Sequence, residues 1–171
     1  LVEVCLGSGT YVRATAKIAA VKPEPLVDGS EPGVYEVLEV RRLVEGDTAY
    51  RAALNIKPDQ LVAIRDSIEH MRADSNVRSR HEVLSDREFH MLIAAASGNS
   101  VLASTVQELW DTRGGWMWSR WVERHRTMRS HQYRVDEHQV IYEHLANGRA
   151  DAARTAMQQH IDAVIQRFLN T

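Results

Sequence analysis

From Val34 onward, apolar residues recur at helical spacing, and the breaks in that pattern fall on residues that start or stop helices. Val34 to Leu54 reads as one amphipathic helix that ends near Asn55. Pro58 suits the first turn of a second helix, where its missing N–H costs nothing, and the pattern runs on to about Ala73. After the polar, turn-like residues 74 to 78, a third helix spans about Ser79 to Ser97. Gly98 then offers a C-terminal cap, and Asn99 or Ser100 can open the next helix. That fourth helix carries Val101, Leu102, Val106, Leu109 and Trp110 and stops at Gly114 and Gly115. A shorter fifth follows from Trp116 to about Met128. The sixth runs from about Ser130 to Ala146 and ends at Asn147 and Gly148, and the last runs from about Arg149 to Leu169. Short connections between helices of this length favour antiparallel neighbours, so the expected fold is an all-α bundle of six or seven helices.

The first 33 residues follow another pattern. Residues 1 to 13 hold two short β-rich runs around Gly7-Ser8-Gly9, a turn able to supply the positive φ that a hairpin needs. A lone hairpin is marginal in water. Because the chain opens at Leu1 on such an element, residues 1 to 13 read as the tail of an upstream domain. Residues 14 to 33, with Pro23, Pro25, Gly29, Pro32 and Gly33, read as a linker, and 34 to 171 as the main domain.

Composition narrows the function. With 171 residues, 44% of them hydrophobic, the chain can bury one sizeable core but not two. A net charge of -2, with both signs mixed along the length, supplies no basic field for nucleic acid, so DNA contact would have to come from outside these residues. No apolar run reaches the roughly 20 residues needed to span a bilayer, and no leader pattern opens the chain; the expectation is a cytoplasmic protein. Cys5 is the sole cysteine, which excludes an intrachain disulfide and a thiolate metal cluster.

Four residues carry candidate metal chemistry. Asp86 and His90 are four apart, so on a helix they project from one face one turn apart. His138 lies on an inward stripe with Val135, Ile141, Tyr142 and Leu145, and His160 on one with Ala153, Ala156, Met157, Val164 and Phe168. Folding back at Gly148 puts His138 and His160 about 15 and 18 Å from the turn at 1.5 Å per residue, so they end nearly level. His144 fails the same test. Three imidazoles and a carboxylate suit a divalent transition metal, Zn²⁺ first with Mn²⁺, Fe²⁺, Co²⁺ or Ni²⁺ open, better than Ca²⁺ or Mg²⁺. The plain alternative for each residue is an ordinary hydrogen-bonded core histidine. His70, His81, His125, His131 and His144 are read as solvent-facing or locally bonded.

Arg41 falls among Val37, Leu38 and Val44 on the apolar side of the first helix, a costly place for a guanidinium unless it meets a carboxylate. That carboxylate belongs either to an acidic effector or to Glu45, one turn on. Arg113, at the end of the fourth helix, is a second effector candidate, although the helix dipole favours a cation there in any case. Trp110, Trp116, Trp118 and Trp121 are read as core or subunit contact ahead of stacking on a sugar ring.

Several stretches together carry a family likeness. They are Glu39-Val-Arg41 with Glu45, Asp86-Arg-Glu-Phe-His90, Gly98-Asn99, Glu137-His138 with Ile141, and Ala156-Met157 followed by His160. From Val34 to Leu169 the chain resembles the effector-binding FCD domain of the FadR-type branch of the GntR transcription regulators. The resemblance implies that Asp86, His90, His138 and His160 hold a divalent ion, as in the metal-containing members. It also implies that Leu6-Gly-Ser-Gly-Thr-Tyr-Val12 is the wing of an upstream winged helix-turn-helix. Leu109-Trp110-Asp-Thr-Arg113 and the Trp-rich segment resemble the hexuronate-repressor subgroup, which implies a sugar-acid or small hydroxy-acid effector. The implied protein is a homodimeric repressor that reaches DNA only through that upstream domain and has no membrane partner. Two other classes compete. A metal-dependent hydrolase or isomerase would need a positioned base beside the ion, and no residue demands that role, so no enzyme is expected. A purely structural metal domain for dimerisation would enclose the ion in protein ligands.

Overall fold

The computed structural model describes residues 2–5, 9–12, 32–73, 80–114, 118 and 128–169. Two units are present, Leu1–Ser30 and Glu31–Thr171. In the first, strands β1 (Val2–Cys5) and β2 (Gly9–Val12) pair antiparallel, with Val2 opposite Val12 and Cys5 opposite Gly9. The second unit is helical among its described residues: α1 (Val34–Asn55), α2 (Pro58–Ala73), α3 (Arg80–Ala96), α4 (Ser100–Asp111), a 3-10 turn (Thr112–Gly114), α5 (Met128–Ala146) and α6 (Ala150–Leu169). The expected all-α bundle is therefore observed. The fifth helix expected over 116–128 lies outside the described residues except for Trp118, which is helical and buried, and Met128, which already belongs to α5.

Local chemistry sets the helix ends. The Asn99 carboxamide accepts hydrogen bonds from the Val101 and Leu102 amides at 3.0 and 3.2 Å, satisfying two of the orphan donors at the start of α4. At the other end of α5, Gly148 takes a φ of 63°. Its amide bonds the Leu145 carbonyl at 3.1 Å, and the Arg149 amide bonds the His144 carbonyl at 2.9 Å. That pair of hydrogen bonds closes the helix and reverses the chain with almost no loop.

The central contact is between α1 and α6. Arg42 bonds Asp162 at 2.6 Å and Arg154 bonds Asp47 at 2.7 Å. Between these pairs Gly46 faces Gln158. As the α1 number rises, its α6 partner falls, so the two helices are antiparallel. Their approach depends on small residues: Gly46, Ala49, Ala52 and Ala53 on α1, and Ala153 and Ala156 on α6, are all buried. Around this pair the core is filled by Leu38, Ile64, Ile68, Phe89, Ile93, Ile141, Leu145, Met157 and Ile161. Each such side chain, fully buried, contributes about 1.5–3 kcal/mol of transfer free energy.

The same core contains an unusual set of polar groups. Arg41, Glu45, Asp86, His90, His131, His138 and His160 are all buried. Burying such groups is costly unless they find partners, and the site below shows how most of them do.

Candidate metal centre and its arginine flank

Four elements deliver the buried polar cluster. α3 presents Asp86 and His90 from one face, α5 presents His138, α6 presents His160, and α1 lays Arg41 and Glu45 alongside. One ligand-type atom from each of Asp86, His90, His138 and His160 lies within 4.8 Å of the others. The level placement expected from the Gly148 turn is found, since the His138 and His160 ring centroids are 4.5 Å apart. Phe89, wholly buried, meets the His138 ring edge-on at 4.4 Å and the His90 ring at 5.4 Å, which limits how either can rotate.

Each imidazole has its Nδ1 occupied. His138 Nδ1 donates to the Arg134 carbonyl at 2.7 Å, His160 Nδ1 donates to Glu137 at 2.8 Å, and His90 Nδ1 donates to Glu45. Assigned from these acceptors, the neutral tautomer of each ring carries its proton on Nδ1 and leaves a lone pair on Nε2. Those Nε2 atoms face inward. His138 Nε2 is 3.4 Å from His90 Nε2 and 3.4 Å from Asp86 Oδ1, and His90 Nε2 is 3.9 Å from the same oxygen. Lone pairs and a carboxylate oxygen converging in this way repel one another unless a cation stands among them. Separations of 3.4–3.9 Å, with all four atoms within 4.8 Å, are of the order found between donors that share one ion at roughly 2.0–2.2 Å. The donor set thus fits a divalent transition metal in chemistry and in size. Histidine ligands whose second nitrogen is fixed by a carboxylate or carbonyl are the usual support for such an ion.

For Asp86, His90 and His160, burial and neighbouring charges act on the protonation state. Burial, with His138 close by, pushes His160 down to about 3. Burial also pushes His90 below its ordinary value, against the pull of Glu45. For Asp86 burial favours the neutral acid, but a hydrogen bond from His138, made when its Nε2 carries a proton in place of a metal, and the Arg113 charge hold its carboxyl well below the usual range. Glu45 behaves alike, with Arg41 and His90 outweighing burial.

The two arginines singled out in the sequence both reach this cluster. Arg41 Nε bonds Glu45 Oε1 at 2.5 Å, so in this structure Glu45 supplies the carboxylate its position demanded. Arg113 Nη1 lies 3.4 Å from Asp86 Oδ2, on the side away from the imidazoles. Helix-end placement alone does not account for it. Both guanidiniums lie over the Trp110 ring, at 4.2 and 3.9 Å from its centroid, and Arg113 also lies over Trp118 at 4.4 Å. Trp110 and Trp118 are buried, as the core reading expected, whereas Trp116 and Trp121 lie outside the described residues.

Of the histidines read as solvent-facing or locally bonded, one is not solvent-facing. His131 is buried rather than solvent-facing, because the start of α5 turns it inward. His70 is exposed and His144 half-buried; the side chains of His81 and His125 lie outside those described. Sequence reasoning missed the outer supports Glu45 and Glu137 as histidine partners. Only the one-residue spacing of Glu137 from His138 hinted that it lies near the cluster.

A helical bundle that gathers three imidazoles and a carboxylate at one buried point, flanked by paired arginines, defines a ligand-receiving domain with a candidate metal centre. The sequence profile of the FCD domain matches residues 36–163, and the chain belongs to that family. It is similar to the Uxu operon transcriptional regulator of Escherichia coli K12, 30% identical over 99% of this chain and 66% of that one. It is also similar to the Uxu operon regulator of Haemophilus influenzae, 28% identical over 96% of this chain and 60% of that one. The chain thus spans about 60–66% of the length of these curated relatives. Among solved structures, Streptococcus agalactiae GntR shares the fold with a TM-score of 0.65 at 23% identity, over 96% of this chain and 74% of that one. These relatives are regulators, in agreement with the expectation of no enzyme. Among the described residues, no helix is long and apolar enough to cross a membrane.

Proposed function

We propose that this chain is the effector-sensing part of a transcription regulator, in which Asp86, His90, His138 and His160 hold a divalent transition metal and Arg41 and Arg113 help receive a small carboxylate. The observation that carries this reading is the inward set of Nε2 atoms, each freed by an occupied Nδ1. Zn²⁺ is the first choice for three nitrogens and one oxygen, with Mn²⁺, Fe²⁺, Co²⁺ and Ni²⁺ as alternatives of the same ligand preference. When bound with five or six positions filled, the ion would supply positive charge and, beyond the four protein ligands, a position for an acid's oxygen. The protein supplies orientation: Glu45, Glu137 and the Arg134 carbonyl fix the rings, and Phe89 packs edge-on against those of His90 and His138. Arg113 lies 3.4 Å from Asp86, Arg41 is joined to His90 through Glu45, and both carry the charge that an acidic effector needs.

The effector class is a sugar acid or small hydroxy acid. The relatives named as Uxu operon regulators support it, as does the Leu109-Trp110-Asp-Thr-Arg113 stretch. DNA contact in this reading belongs to a winged helix-turn-helix preceding the β1–β2 hairpin, which serves as its wing. Two copies of the helical domain pair, so that a shift in helix packing on effector binding changes the spacing of two DNA-reading units.

The test is elemental analysis of the purified chain, followed by thermal unfolding with a panel of uronic, aldonic and hydroxy acids before and after chelation. One bound transition metal per chain is expected, with a rise in unfolding temperature by one class of acid that chelation abolishes. Protein that takes up no metal, or loaded protein that no acid stabilises, overturns the corresponding half of the proposal.

A further inference from the structure

Glu45 joins the candidate metal ligands to the arginine flank. Its Oε1 accepts from Arg41 Nε at 2.5 Å and from Trp110 Nε1 at 3.2 Å, while its Oε2 accepts from His90 Nδ1. Donors from α1, α3 and α4 thus meet on one carboxylate that is only 2% exposed. We propose that Glu45 is a positioning residue that couples the two ligands of the site: its single charge orients His90 for the cation and shields the Arg41 guanidinium from the anion. The inference rests on the reading of the site given above.

The coupling follows from charge balance. Toward His90, a carboxylate on Nδ1 makes the ring a stronger ligand, and losing such a support costs typically 10–100-fold in metal affinity. Toward Arg41 the same charge acts in the opposite sense, because a guanidinium already paired at 2.5 Å offers an incoming acid only what Glu45 gives up. The other supports do not share this double role. The Arg134 carbonyl behind His138 carries no net charge. Glu137 behind His160 also meets Arg167 at 3.3 Å, but that arginine is 25% exposed and, among the contacts described, is not one of the two guanidiniums over Trp110, which are Arg41 and Arg113. One residue therefore sets cation and anion affinity against each other.

The experiment compares the full chain with Glu45→Gln, Arg41→Gln and Glu137→Gln. Zn²⁺ affinity is read by chelator competition, and D-glucuronate affinity by calorimetry on protein held saturated with Zn²⁺. Glu45→Gln is expected to weaken Zn²⁺ binding about 10–100-fold while tightening glucuronate binding about tenfold or more, the scale of a close charge pair. Arg41→Gln should do the reverse, abolishing glucuronate binding and raising Zn²⁺ affinity, and it serves in its own right where Glu45→Gln does not fold. Glu137→Gln should weaken Zn²⁺ without tightening glucuronate. Glu45 as mere packing predicts that both affinities fall together in Glu45→Gln, and that result overturns the proposal, as does an unchanged Zn²⁺ affinity. A wild-type chain that takes up no Zn²⁺ overturns the metal reading itself, and one whose Zn²⁺-loaded form ignores glucuronate and every other acid overturns the effector reading.

Discussion

His138 and His160 stand 4.5 Å apart between ring centroids, although a full helix end, a turn and the start of another helix separate them. The juxtaposition arises from the reversal at Gly148, which brings the two helices back side by side so that positions roughly equidistant from the turn come level. If the pair serves one ion, each ring must matter separately. His138→Ala and His160→Ala should each lower Zn²⁺ affinity by about a hundredfold or more, since a four-ligand site spreads some 10–16 kcal/mol over its donors. Chelator competition on each variant measures this. Retention of wild-type affinity by either one removes that ring from the site.

The depressed imidazoles fix the pH response of the metal-free chain. Burial lowers His160 to about 3 and lowers His90 from an ordinary 6.5, so below pH 6.5 the unfolded chain binds protons that the folded chain refuses. Stability therefore rises with pH through that window and is lost as pH falls below 6.5. Glu45 and Asp86, with carboxyls held below their ordinary 4.5 and 3.8, contribute stability present above those values and lost only at lower pH. Between about pH 7.5 and about pH 5 the histidines thus dominate, and the thermal midpoint of metal-free protein should drop steadily. A flat midpoint across that range would mean that the rings are protonated when folded.

The helices were legible because their signals are local. Periodic Leu, Ile and Val, the Asn99 cap and the Gly98 and Gly148 stops act within a turn or two, and the observed ends differ from the expected ones by at most two residues, as with α5 starting at Met128. The level placement of His138 and His160 was legible for the same reason, being a count outward from one turn. What stayed hidden depends on how helices seat against each other. Glu45 meets His90 across 45 positions and Arg113 meets Asp86 across 27, and neither pairing follows from either helix alone. His131 carries the same lesson: at the start of a helix, burial depends on the neighbouring elements, which periodicity does not report.

Gly148 holds its φ of 63° in the left-handed region, which an L side chain enters at a cost of about 1–2 kcal/mol. A methyl group there would meet only the Ala53 carbonyl at 3.8 Å, so strain and not collision sets the penalty. Gly148→Ala should lower stability by about 1 kcal/mol, and Gly148→Asn by less, because asparagine tolerates this conformation. Denaturant midpoints at unchanged slope would report it. Equal stability of the alanine variant would mean that the turn can close in another geometry.

Gly46 answers to the opposite cause. It sits mid-helix in α1, where glycine costs about 1 kcal/mol relative to alanine, and its φ is unexceptional; the reason for it lies across the interface. A Cβ at this position would stand 2.8 Å from Gln158 Cγ and 3.0 Å from Nε2. Since Cγ lies near the root of that side chain, rotation of its end does not relieve the contact, and α1 would have to lift from α6. Gly46→Val gains a few tenths of a kcal/mol in helix propensity and loses about 1–3 kcal/mol to overpacking, so net destabilisation is expected. The site should feel it too, because α1 carries Glu45 and α6 carries His160, on the two sides of this contact. Gly46→Val should therefore weaken Zn²⁺ binding as well as lower the thermal midpoint, whereas Gly148→Asn, with its milder effect on the turn, should leave Zn²⁺ affinity near wild type. A Gly46→Val protein with unaltered stability and Zn²⁺ affinity would show that the close seating of α1 on α6 is not what aligns the cluster.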